Sequence, residues 1–146
     1  MADQTPQSFA NHSRLVPMFH YVGTILFLAV LLWKGYLAVR FFSVTALVDV
    51  VLIIVLGIVA WYARTFALGA QDRVIRLEER LRLAELLPAE LKGRIGELSM
   101  GNLIALRFAS DGEVAGLVRQ ILDGKLKTRT EIKQAIKTWR ADHHRV

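Results

Sequence analysis

Two stretches almost empty of charge constrain this chain more than any other feature. Leu15 to Trp33 carries no formal charge, and Phe41 to Ala63 carries only Asp49. At the helical rise of about 1.5 Å per residue, the shorter stretch reaches about 28 Å, close to the hydrocarbon thickness of a bilayer. The core of the second, VVLIIVLGIVAWYA, is as apolar as membrane spans become. Aromatic residues gather near the ends of both: Phe19 and Tyr21, Trp33 and Tyr36, Phe41 and Phe42, then Trp61, Tyr62 and Phe66. Amphipathic rings favour the headgroup level in this way. The expectation is an all-α membrane protein whose residues 15–66 form a two-helix transmembrane hairpin, with spans over 15–33 and 41–63. The connection Lys34–Arg40 (KGYLAVR) is short, which predicts antiparallel neighbours.

Two simpler explanations fit less well. A cleaved signal peptide needs a positive leading region and a small-residue cleavage site, and neither flanks the first stretch. A buried core helix needs fewer than 23 consecutive residues this apolar. The remaining charge is strongly segregated. All but three of the 19 Lys and Arg (Arg14, Lys34, Arg40), and all but two of the 13 acids (Asp3, Asp49), lie from Arg64 onward. This excludes a uniform globular protein and a disordered chain. The absence of cysteine removes disulfides, thiolate metal sites and a cysteine nucleophile. Arg64, Arg73, Arg76, Arg80 and Arg82 follow the second span, whereas the connection offers only Lys34 and Arg40, both able to snorkel. By the positive-inside tendency, both termini are expected in the cytoplasm.

Residues 1–14 are polar, contain Pro6 and show no apolar period, which predicts a disordered tail. Residues 67–87 read as an amphipathic juxtamembrane helix with Gly69 as a candidate bend and an end before Pro88. Its apolar face is expected at Val74, Leu77, Leu81 and Ala84, spaced i, i+3, i+7, i+10. Two heptads are too few to predict a coiled coil from sequence. Asp72–Arg76 and Glu78–Arg82 are i,i+4 pairs with the acid first, worth about 0.2–0.5 kcal/mol each. Residues 88–146 read as a small cytoplasmic helical bundle. Ser110–Glu113 and Thr128–Glu131 match capping boxes. Val114, Leu117, Val118, Ile121 and Leu122 follow the first, with Gly124 as C-cap, and Ile132, Ala135, Ile136 and Trp139 follow the second. Leu103, Ile104, Leu106 and Phe108 add a shorter segment upstream.

Three segments, QDRVIRLEERLRL after the spans, LIALRFASD, and EIKQAIKTWRAD with HHRV at the C-terminus, resemble a family of short bacterial two-span membrane proteins. That family carries only a domain-of-unknown-function label. The similarity runs from about Phe9 onward. It implies this architecture and a bacterial cytoplasmic membrane, multi-pass. It implies no activity, cofactor or catalytic residue.

Candidate sites are few. Asp49 is an acid inside a span, a placement that costs about 2.5–3.5 kcal/mol at the bilayer centre and usually has a purpose. Thr24 lies at similar depth on the first span. The structural reading has Asp49 bonded to Thr24 or Thr45, or paired with Arg40 or Lys34. The functional one makes it protonatable or ion-coordinating between protomers. A basic strip, Lys125, Lys127, Arg129, Lys133, Lys137 and Arg140, is expected along the last helix. Beside an anionic leaflet such a strip gains about 1 kcal/mol per basic residue, and it is otherwise a solvated face. Aromatic interleaving for base stacking is missing, so nucleic acid is not the expected partner. His143 and His144 are tandem and point apart on a helix, and His20 sits at a span end, so no metal site is expected. Glu78 and Glu79 read as exposed helix charges. No phosphate loop, nucleophile elbow or HExxH occurs, and no catalytic residue, cofactor or enzyme activity is expected.

The leading functional expectation is a membrane-anchored structural or interaction protein whose basic helical module meets anionic lipid headgroups, its own kind or another membrane protein. The alternatives are a subunit of a small oligomeric channel or transporter accessory, with Asp49 at the span interface, and a membrane-tethered nucleic-acid-binding module.

Overall fold

The computed structural model describes residues 6–11 and 15–142. Among them every regular element is a helix, and two helices, Met18–Arg40 and Val44–Leu86, are long and apolar enough to cross a membrane. The chain divides into two compact units, Arg14–Ala67 on the one hand, and Met1–Ser13 with Leu68–Val146 on the other.

In the first unit, a π-helical turn Met18–Gly23 leads into α1 (Thr24–Arg40). The helix does not stop at Trp33 as the charge pattern suggests. It runs through Lys34–Arg40, because Leu37 and Ala38 continue a helix readily and Gly35 alone costs too little to end it before Phe41. The true connection is Phe41–Ser43, where Ser43 Oγ accepts from the Ala46 N–H at 3.1 Å and starts α2 (Val44–Leu86). α1 and the first half of α2 lie antiparallel. The Arg64 guanidinium lies over the Phe19 ring at 5.9 Å, Phe27 meets Gly57, and Lys34 meets Asp49. A Cβ at Gly57 would stand 2.6 Å from Phe27 Cζ, so glycine lets the ring approach the helix backbone. The apolar side chains of this unit point outward: Leu26, Leu32, Leu52 and Leu56 are each more than half exposed.

In the second unit, α2 continues with no break at Gly69 and ends at Leu86, where the next residue precedes Pro88. α3 (Ala89–Lys92), a 3₁₀ turn (Ile95–Glu97), α4 (Met100–Leu106), α5 (Asp111–Leu122) and α6 (Arg129–Ala135) follow. Both anticipated capping boxes form, and Ser99 with Asn102 forms a third at the start of α4. Gly124 takes a positive φ of 74° after α5, the conformation a C-cap glycine supplies. The core gathers Leu83, Leu87, Leu103, Leu106, Phe108, Val114, Val118 and Ile132, and each such burial contributes about 1.5–3 kcal/mol.

Two expectations are corrected here. The buried face of α2 is Ile75, Glu79 and Leu83, whereas Val74, Leu77 and Leu81 are exposed by 54%, 61% and 61%. The helix carries two stripes a third of a turn or more apart, and the one continuing into Leu87 and Leu91 meets the core. The last helix also stops at Ala135 rather than running to Trp139. Ile136 turns extended, Trp139 forms a bridge with Ala109, and its ring packs on Phe108 at 5.1 Å. Burying that indole against the core outweighs further helical turns. Of the expected tail, residues 1–5 and 12–14 lie outside the described residues. Residues 6–11 turn on Asn11, and Gln7 is bonded to Asp142.

Candidate functional site

Where α2 passes the extended C-terminal strap, residues 136–142, a cavity of about 490 Å³ opens. Its polar lining includes Gln71, Glu79, Arg82, Arg107, Arg140 and Asp142. Glu79 is on the buried side of α2, one turn after Ile75 and one before Leu83, so the helix period carries its carboxylate inward with them.

The strap reaches this point because its backbone is held along the α4–α5 junction. The Ser110 N–H donates to Thr138 O at 3.1 Å, and the Arg140 N–H donates to Phe108 O at 2.7 Å. Glu113, the capping-box acid of α5, also accepts from the N–H groups of Lys137 and Thr138, each at 3.0 Å. Arg140 thereby comes to 3.8 Å from Glu79 Oε1. The other carboxylate oxygen accepts from Arg82 Nη1 at 2.9 Å. Arg82 is itself fully committed, giving Nη2 to Ala109 O at 2.7 Å and both Nε and Nη2 to Asp111 Oδ1. Arg107 Nε approaches Asp142 Oδ2 at 3.3 Å. Gln71 Oε1 is enclosed and accepts no hydrogen bond among the described residues.

Burial pushes the Glu79 carboxyl above the usual carboxylate range, against the pull of the adjacent Arg82 and the more distant Arg140. The cluster can therefore do two things chemically. It ties α2, the start of α5 and the strap into one charge-balanced joint, and it holds a protonatable acid inside that joint. Glu79, read as exposed from sequence, is the principal residue the sequence reading misplaced. The expected Glu78–Arg82 pair is likewise replaced, since Arg82 turns to Glu79 and Asp111.

The other candidate residues are dispersed. Asp49 Oδ2 accepts from Lys34 Nζ at 2.7 Å. This realises one of the partners anticipated for it, and both side chains remain partly exposed. Thr24 is not at that level. Since Lys34 meets Asp49 and Phe27 meets Gly57, Thr24 falls about opposite Ala60, and its hydroxyl donates instead to Phe19 O at 3.4 Å. The basic strip does not exist as one helix face. Lys125 and Lys127 precede α6, Arg129 lies against Gly101, Lys133 sits 5.3 Å from the Phe108 ring, and Lys137 and Arg140 belong to the strap. Ending α6 at Ala135 is what scatters it. Of the arginines that follow the second apolar stretch, Arg73 and Arg76 are exposed, Arg64 and Arg80 partly covered. Among the described residues no group of three or more His, Asp or Glu could hold a metal ion, and His143 and His144 lie outside those residues.

No curated protein and no solved structure matches the chain. A family model does, over residues 1–146, and the chain therefore belongs to DUF6526, a family of unknown function.

Proposed function

We propose that this protein is a membrane-anchored structural or interaction protein that carries a helical module on a two-span hairpin. The observation that carries the reading is the dual use of α2. One unbroken helix holds a stretch apolar enough to span a bilayer and, beyond it, contributes Ile75, Glu79 and Leu83 to the buried side of the module. The outward-facing leucines of the first unit fit lipid, which needs no polar shell. Gln7, before both apolar helices, and Asp142, after them, exchange two hydrogen bonds at 3.1 and 2.9 Å. That contact favours an even number of crossings with both ends on one side. The arginine excess after the second span favours the cytoplasmic side of a bacterial inner membrane.

Pairing of Asp49 with Lys34 supports a positioning role for the acid over a channel-lining one, because the charge has a partner within its own chain. The scattered lysines favour diffuse contact with anionic headgroups over a nucleic-acid track. The test is sedimentation of the full chain with membranes in the absence of detergent, combined with protease accessibility of tags at the two ends. Membrane association with both tags on one side is expected. Recovery in the supernatant, or tags on opposite sides, overturns the reading.

A further inference from the structure

We propose that the outward face of α2 beyond the apolar stretch pairs with the same face of a second copy of this chain, as a short parallel coiled coil. The inference deepens the membrane-anchored reading and rests on it, because a shared bilayer is what sets the two copies parallel and at one depth.

Val74, Leu77, Leu81 and Ala84 recur at the a and d positions of a heptad and are all exposed. Leu77, Leu81 and Ala84 lie opposite Ile75, Glu79 and Leu83, while Val74 and Glu78 border the cavity beside the strap, so the side of α2 that packs into the core is already used and the Leu77–Leu81–Ala84 side is open. A seam of aliphatic side chains left in water forgoes the apolar burial that favours association. The flanking charges identify the occupant. In this register Arg73 and Arg80 are g residues, and Glu78 and Glu85 are e residues. In a parallel pair each g residue faces the following e residue of the other helix. Arg73 then faces Glu78 and Arg80 faces Glu85, and symmetry doubles both contacts. Each is between opposite charges, with no like-charge meeting across the seam. Among the described residues none of these four side chains forms an ion pair within the chain, although Arg82, Arg107 and Arg140 beside them do. An antiparallel pair or an unrelated helix would not inherit this match. Two heptads are short for association from dilute solution. Two chains confined to one membrane, with their seams at equal depth, meet at a far higher effective concentration.

The chain contains no cysteine, so single introduced thiols report contacts cleanly. In membranes holding full-length chain, Leu77→Cys is expected to form disulfide-linked dimer on mild oxidation at least about fivefold more than Arg76→Cys, which sits at the same depth but off the seam. In the Leu77→Cys background, Arg80→Glu is expected to lower cross-linking severalfold by setting acid against Glu85. Adding Glu85→Arg restores it, which separates loss of pairing from loss of folding. Equal cross-linking at positions 77 and 76, or none at 77, with the chain still sedimenting with membranes, overturns the pairing alone. So does failure of the double charge swap to restore it. Chain recovered in the supernatant overturns the anchoring reading beneath it.

Discussion

Arg82 reaches Glu79 across one turn of α2 at 2.9 Å, with both side chains almost removed from solvent and the rest of the guanidinium bound to Ala109 O and Asp111. Removing one member of a buried pair leaves the other without compensation. Arg82→Ala is therefore expected to destabilise the full chain in detergent by about 3–5 kcal/mol at neutral pH. Arg82→Lys recovers only part of this, because an ammonium cannot serve Glu79, Asp111 and a carbonyl in one planar fork. Chemical denaturation followed by circular dichroism measures both.

Glu79 titrates against the usual direction for a paired acid. Its native pKa is raised by burial, so its contribution to stability is fully present below the ordinary glutamate value of about 4.3 and is lost as pH rises through the native value. Glu97 and Glu131 have the opposite sign. Arg94 lowers the first, and the backbone N–H groups of Lys127 and Thr128 lower the second, so their contributions are lost as pH falls. Glu79→Gln is expected to gain stability relative to wild type between about pH 4 and about pH 7. The difference in denaturation midpoints at the two pH values reads this directly, and an unchanged difference contradicts it.

Glu113 serves two structures at once, the start of α5 and the strap. Glu113→Ala strips the acceptor from the Lys137 and Thr138 N–H groups as well as from the cap, and is expected to cost about 2–3 kcal/mol. Glu131→Ala, which loses one half of a capping box and one loop N–H acceptor at an exposed site, is expected to cost less than Glu113→Ala. Hydrogen exchange separates them: the amides of Lys137 and Thr138 speed up only in the first variant.

The approach of Phe27 to Gly57 makes that glycine hard to replace. Gly57→Val is expected to weaken packing of α1 on α2 by about 1–3 kcal/mol, with Phe27→Leu restoring part of the loss in the double variant. Unfolding of the chain in mixed detergent micelles is the measurement.

Much of the fold was legible where one physical signal acted alone. Uncharged length marked both long helices, Pro88 marked the end of α2, and Ser110, Glu113, Thr128 and Glu131 marked two helix starts through local hydrogen bonding that needs no tertiary context. Legibility failed where two signals competed. α2 carries two apolar stripes. Val74, Leu77 and Leu81 are the more regular, but Ile75 and Leu83 lead into Leu87 and Leu91, and only the tertiary fold chooses between them. Glu79 was misread for the same reason, since an acid flanked by arginines in sequence resembles a solvated face. The signal in the sequence is an acid in the middle of the Ile75–Leu83 apolar spacing. Trp139 kept the spacing of the α6 stripe and still left the helix, because its partner Ala109 is distant in sequence.

The bond between Gln7 and Asp142 has a consequence for how the protein is made. Gln7 leaves the ribosome before either long apolar helix and Asp142 after both, so that contact forms only once both helices have been made. Both long apolar helices are therefore made while the joint around Glu79 still lacks Arg140. Pairing of Glu79 with Arg140 waits on the strap, so arrival of residue 140 is what closes the joint.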